Sequence, residues 1–356
     1  MPGAPGRALF LKAWVCGGNG EGIRKGAGAR PQGYDGGVND VHVIFGAGQV
    51  GYPLAERLLA EGRMVVVAKR TRTDVPRGAE IVLGDASDAQ FCAEAARGAA
   101  AVYHCMNPPY SAKLWAELVP LYMDNLVAAA GRAGARLVVL DNLYMLGRTG
   151  GRPMNEDTPA NPCSRKGEIR ARAAARLFEA HRRGEVRAVC GRASDFYGPR
   201  GEKGSHLGDF FWKPALAGST ARVVVDPDAV HTYHFIPDVA AGLAVLGTRA
   251  EEQDLGRAWM LPCQPAETLR ALVERIARKL GQPIRLGRVA PWMLRAMGLV
   301  MPLMREISEM QYQWSEPFVV DDSRFRARFG ASPMDREEAA AVTAAWAQAA
   351  FGASPA

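Results

Sequence analysis

Two features of this sequence carry the most specific chemistry: the spacing Gly46-x-Gly48-x-x-Gly51, and a lysine at position 166. The three glycines, with Gln49 and Val50 between the second and third, end the run "HVIFGAGQVG", an apolar stretch of strand character that opens directly into "YPLAERLLAEG", of helical period. In that setting the first glycine allows a tight turn and the second lets backbone approach a pyrophosphate. The third lets helix and strand pack closely, while the helix N-terminus turns free amides to the anion. The chemistry indicated is dinucleotide binding. At the end of the next strand, where a carboxylate would hold the ribose 2′-hydroxyl of NAD, the chain has Lys69, Arg70, Thr71 and Arg72, with no acid before Asp74. Guanidinium groups suit a 2′-phosphate, so NADP(H) is the expected cofactor and NAD the alternative; a solvated basic loop is the plainer reading. Asp85 and Ala86 follow the third strand at the adenine end, Asp88 is placed as a helix cap, and Cys105 and Met106 continue the same edge after the fourth strand.

Lys166 stands in "ANPCSRKGEIRARAAARLFEAH", residues 160–181, a turn running into an alanine-rich helix. The core-facing stripe of that helix is Ile169, Ala173, Leu177 and Ala180, and one turn back the stripe reaches Lys166. The ammonium therefore points inward in a first turn, where the macrodipole disfavours a cation. A structural alternative is a packed aliphatic stem with the head reaching solvent. Ser164 is suited to the N-cap. Reduction of a carbonyl needs a proton donor within hydrogen-bond reach; Tyr144, in the loop leaving the fifth strand, is the first choice, with Tyr110 and Tyr197 behind it, and each is equally a packing aromatic. His104 reads as strand filling, and His231 and His234 flank Tyr233 without the partners of a metal site.

The elements that must position these groups follow from the pattern. From Val41 short β-rich runs ("VHVIFGAG", "RMVVVAKR", "AEIVLGDA", "AAVYHCM", "RLVVLDN", "RAVCGRAS") alternate with helical stretches, which predicts a doubly wound parallel sheet covered on both faces. After about residue 195 the alternation gives way to a smaller mixed lobe containing "RVVVDP", "GRAWMLP" and the helix "AETLRALVERIARKLG". The expected organisation is a disordered leader over 1–40, a dinucleotide-binding domain over 41–195 and a substrate lobe over 196–356, with some return of chain to the first domain. The stretch "APWMLRAMGLVMPLMREISEMQYQW" reads as core, as an apolar substrate lid or as a membrane-facing patch. With 356 residues the chain can bury a large core. Its formal charge of +7 is scattered rather than clustered with aromatics, which argues against nucleic acid. The six cysteines show no CxxC pair and read as reduced thiols of a cytosolic protein. No apolar run approaches the length of a membrane span, and the leader lacks the apolar segment of a signal peptide and the serine-rich amphipathic character of a transit peptide.

"FGAGQVG", "GDASD", "YHCMNPPY", "LVVLDNLYMLG", "EDTPANPCSRKGEIRARAAARL", "GRASDFYGP" and "HTYHFIPDVA" together resemble the NAD-dependent epimerase/dehydratase family, the extended short-chain dehydrogenases/reductases. The resemblance implies a Rossmann core with a C-terminal substrate lobe, and an active site made of a Ser/Thr after the fifth strand plus Tyr-x-x-x-Lys. Here Phe45 stands at the family's first glycine, Asn142 at the Ser/Thr, Lys166 at the lysine, and Pro162 where the tyrosine belongs. The chain resembles the atypical members that lack that tyrosine. The family's lysine binds the nicotinamide ribose and lowers the tyrosine's pKa, which gives Lys166 its implied role beside Asn142 and Tyr144. The functional expectation is an NADP(H)-dependent oxidoreductase or redox isomerase acting on a small, apolar, carbonyl-containing substrate. A cofactor-sensing regulator and a nucleotide-sugar epimerase are the alternatives, and a homodimer is left open.

Overall fold

The computed structural model describes residues 40–352; the leader expected over 1–40 lies, Asp40 excepted, outside them. Six strands, β1 (Val41–Phe45), β2 (Met64–Lys69), β3 (Glu80–Leu83), β4 (Ala101–His104), β5 (Arg136–Asp141) and β6 (Arg187–Arg192), alternate with four helices. These are α1 (Gly51–Ala60), α2 (Ala89–Ala96), α3 (Ala112–Ala133) and α4 (Arg165–Arg182). All strands pair in parallel in the spatial order β3-β2-β1-β4-β5-β6, and a seventh strand, Ala258–Met260, adds to β6. Phe45 pairs with both Ala68 and His104, so the carboxyl ends of the central strands finish along one edge, where sheets of this order bind their ligands.

Period-two side chains divide between two helix layers. Val43, Phe45, Val102, Leu137 and Val139 face α2, α3 and α4, meeting Trp115, Leu126 and Leu177. Ile44, Val65, Val67, Val138 and Val189 face the other way, against Leu54 and Leu58 of α1 and a helix from far downstream, α6 (Ile236–Thr248), which brings Val239 and Leu243. A fully buried leucine such as Leu177 contributes roughly 1.5–3 kcal/mol of transfer free energy, so α4 is held mainly by the inner stripe read from its sequence. Arg136 ties the start of β5 to the end of α6 by donating to the carbonyls of Leu246 (3.1 Å), Gly247 (2.8 Å) and Ala250 (2.6 Å).

Downstream of β6 the helices α5 (Asp209–Leu216), α7 (Leu269–Leu280) and α11 (Arg336–Phe351) enclose a separate apolar cluster around Trp212, Phe235 and Ile276. Between α7 and α11 come α8 (Pro291–Gly298), α9 (Pro302–Glu309) and α10 (Ser323–Phe329); Phe325 and Phe329 of α10 join the layer under α6. Tyr110 and Tyr144 pack against both the first layer and this C-terminal cluster. They therefore mark the seam between the sheet and the lobe. Among the described residues no helix is long and apolar enough to cross a membrane.

Candidate active site

The glycine turn has the geometry its spacing requires. Gly46 takes φ +95°, and a Cβ there would lie 2.8 Å from Met106 Cγ; a Cβ on Gly51 would lie 1.8 Å from the Gly46 carbonyl oxygen, so strand and helix meet closer than any side chain permits. A Cβ on Gly48 would meet nothing within 4 Å, because that glycine faces an open cavity. Helix α1 has Val50 at its N-cap without a side-chain cap; in its first turn the Tyr52 amide donates to the Gly48 carbonyl at 3.2 Å and Pro53 has none, so the Gly51 amide is what that turn can offer an anion. The cavity, ≈ 390 Å³, is lined by Gly46, Gly48, Arg70, Asp85, Ala86, Cys105 and Met106 together with Lys69 and Thr71. Gln49, Val50 and Gly51 stand outside its wall: Val50 is buried in the second layer and the Gln49 amide donates to the Lys203 carbonyl.

At the β2 end of the cavity Arg70 lies 3.9 Å from Asp85, with 63 % and 42 % of their side chains exposed, a pair too solvated to hold the guanidinium. The Asp85 carboxyl is lowered chiefly by the Ser87 amide it accepts from, and the Asn125 amide donates to the Ala86 carbonyl at 2.8 Å. The loop after β3 is thus fixed by its own hydrogen bonds, and Asp88 caps α2 through Gln90 and Phe91.

At the other end, beyond β4 and β5, the groups are buried and coupled. Asn142 Oδ1 accepts from the Tyr144 amide at 3.1 Å, which turns the chain sharply after β5. The Tyr144 ring stacks on Trp115 (6.1 Å, 9°), and its hydroxyl is 3.4 Å from that of Tyr110. Burial pushes the Tyr144 hydroxyl up to about 12, and burial together with Tyr144 pushes Tyr110 further still. Arg170, one turn beyond Lys166, donates to Asn107 Oδ1 (2.7 Å), sits 3.4 Å from Asp141 and covers the Trp115 ring. It braces the carboxyl ends of β4 and β5 against α3.

Lys166 has no exposed surface, and Ser164 caps its helix by accepting from the Gly167 amide. The ammonium donates at 2.5 Å to both Glu306 and Glu309 of α9, and lies 4.9 Å from the centroid of the Tyr110 ring. Burial alone would raise the Glu306 carboxyl, but its hydrogen bond from Lys166 holds it below the usual range. The lysine is therefore held beside the Tyr110 ring, and α9 occupies its ammonium from the lobe side.

A family model, that of the NAD dependent epimerase/dehydratase family, matches residues 42–261. The chain belongs to this family. Its members' fold is also seen by superposition. UDP-glucuronic acid 4-epimerase from Bacillus cereus, in complex with NAD, has a TM-score of 0.69 at 13% identity over 87% of this chain and 99% of that one. UDP-glucose 4-epimerase from Thermotoga maritima, with UDP-glucose, has 0.70 at 15% identity over 86% and 98%. The dTDP-glucose 4,6-dehydratase of Bacillus anthracis, in complex with NAD, has 0.70 at 14% identity over 87% and 97%. No curated protein matches the sequence. The epimerase/dehydratase membership makes the chain an NAD-dependent type of oxidoreductase.

Two further features lie beside these residues, and local sequence carries little signal for them. Asp195, just after β6, has one oxygen that accepts from Trp314 Nε1 (2.7 Å) and lies 3.0 Å from His231 Nε2 and 3.3 Å from His206 Nε2. Although burial opposes it, the two imidazoles hold the Asp195 carboxyl well below the usual range. A second cavity, ≈ 340 Å³, opens nearby, lined by Arg148, Arg288, Arg295, Tyr312 and Trp314, with Glu309 in its wall. The only advance signal was the pair of acids three apart, Glu306 and Glu309, inside a methionine-rich run; their partner lies some 140 residues away.

Proposed function

We propose that the protein is an NADP(H)-dependent oxidoreductase or redox isomerase, with the dinucleotide in the glycine cavity and a carbonyl or carbinol substrate in the arginine-lined cavity. The observation that carries the cofactor preference is Arg70 at the cavity wall beside Lys69, with only a solvated contact to Asp85. When bound, the cofactor supplies reversible hydride exchange with an oxygen-bearing carbon. The chain's own work is to bind and to manage the proton. The uncapped start of α1 and Gly48 take the pyrophosphate, Arg70 takes a 2′-phosphate, and Lys166 serves the nicotinamide ribose once α9 yields its ammonium. Tyr144, whose hydroxyl keeps its proton at neutral pH, donates it to the developing alkoxide oxygen, with Asn142 setting the turn and Tyr110 bridging toward Lys166.

The second cavity supports a reading of the substrate class. Arg148 and Arg288 in its lining are paired with Glu316 and Asp226, whereas Arg295 has no ion-pair partner among the described residues, and that one cation favours a substrate with an anionic group, such as a nucleotide sugar, over the apolar one expected from the methionine-rich stretch. The test pairs binding with turnover. Protein fluorescence titrated with NADPH and NADH should show tighter NADPH binding, narrowed or reversed by Arg70→Asp. Tighter NADH binding by the unaltered protein would overturn the preference. With UDP-sugars as substrates, Tyr144→Phe should leave cofactor affinity intact and lower kcat by roughly 10² to 10⁴, the usual range for a general acid; unchanged kcat would move the proton to another group.

A further inference from the structure

The methionine-rich stretch forms a helical hairpin, α8 and α9, that presents an apolar tip to solvent. The helices pack where Gly298 meets Arg305: a Cβ on Gly298 would lie 3.2 Å from the Arg305 Cα. Only Leu294 of α8 is buried, and no residue of α9 is. Leu299 and Val300 at the tip are 88% and 81% exposed, and Trp292 is 70% exposed. Met293, Met301 and Leu303 extend the same exposed run. Single exposed apolar side chains are ordinary, but a contiguous run of this kind marks a contact surface.

The charges on the hairpin are sorted by side. Its two acids, Glu306 and Glu309, turn inward to Lys166. Its two arginines, Arg295 at the mouth of the second cavity and Arg305, are exposed, and neither has an ion-pair partner among the described residues. The outward face is therefore apolar with a purely positive rim. A second copy docked on it face to face would bring the same positive rim and no opposite charge, whereas an anionic lipid surface matches both the apolar tip and the rim. Each helix has eight residues and so spans about 12 Å, well short of a bilayer's hydrocarbon of about 30 Å. The hairpin can enter one leaflet and no more, with Trp292 at the level where indole rings favour the interface.

We propose that the α8–α9 tip is a docking site for an anionic membrane surface, with Leu299 and Val300 inserted among the acyl chains and Arg305 on the lipid headgroups. This inference stands apart from the proposed substrate and cofactor preference.

The test is flotation of the full chain with vesicles of phosphatidylcholine alone and of phosphatidylcholine with about one-third phosphatidylserine. Binding is expected on the anionic vesicles, weakening with salt. The double substitution Leu299→Asp, Val300→Asp should weaken it by at least about tenfold, and Arg305→Gln by about fivefold. Both substitutions fall on exposed side chains, and an unchanged thermal transition verifies the fold. Absence of vesicle binding, or equal binding by the aspartate variant, would overturn the proposal. So would a dimer, measured by analytical ultracentrifugation, that the aspartate variant dissociates, since a second copy would then be what covers the tip.

Discussion

Replacing Lys166 by Met removes the cation that two carboxylates share and leaves the aliphatic volume in place. Loss of one partner from a buried ion pair costs about 3–5 kcal/mol, most of it the penalty of stranded charge. Glu306 and Glu309 keep 16% and 24% of their side chains exposed and can partly rehydrate, which places the cost near the lower end, about 3 kcal/mol. For a chain of 356 residues that is a fall in Tm of roughly 4 °C. In a Glu306→Gln, Glu309→Gln background the same substitution strands nothing, and its cost should drop to about 1 kcal/mol or less. Denaturant unfolding of the four proteins gives the cycle directly. The pH sign is also determined. Glu306 has a lowered folded pKa, so its contribution is present above the unfolded value of 4.5 and is lost as pH falls through the folded one; the Lys166→Met difference should shrink in acid. An equal cost in both backgrounds would refute the view that this cluster clamps α9. The glutamine pair with Lys166 intact should also tighten dinucleotide binding severalfold, because the ammonium is then free for the ribose.

Gly51→Ala puts a methyl 1.8 Å from a backbone oxygen that cannot move without opening the turn, so dinucleotide binding measured by calorimetry should be lost, while Gly48→Ala, whose Cβ meets no protein atom, should fold normally and weaken only the cofactor. Asp238, with one oxygen accepting from the Met334 amide at 3.0 Å and the other unpartnered, is pushed by burial up to about 7. Its raised folded pKa makes it a source of stability below pH 4 that fades as pH rises to about 7, so Asp238→Asn should raise stability above neutrality by at most about 4 kcal/mol and leave acid stability unchanged in thermal scans.

Local chemistry was legible in the chain, and long-range pairing was not. The glycine spacing located the cavity because its meaning is confined to one strand, one turn and one helix. The inner stripe of α4 put Lys166, Ile169, Ala173, Leu177 and Ala180 inside, and Ser164 and Asp88 cap the helices for which they were read. His104 is buried strand filling as expected. What periodicity could not supply was the partner of a buried charge. Nothing near residue 166 announces Glu306, and nothing near Asp195 announces His206, His231 and Trp314. The methionine-rich stretch had three readings because helical spacing of Met and Leu is the same for a core helix and for an outward one. Its sidedness is set by two glutamates that find a lysine on another element.

The return of α6 and the strand Ala258–Met260 to the main sheet also bears on how the chain is made. A nascent chain that has emerged through β6 holds six of the seven strands, the helices of one layer and α1 over β1 and β2, yet Val138 and Val189 on β5 and β6 still lack α6, which is not yet synthesised. The carbonyls that Arg136 will satisfy belong to the same late segment. Until about residue 260 is released, the β4–β6 half of that face is wet, which makes the ribosome-bound intermediate a natural client for a chaperone that shields apolar strands.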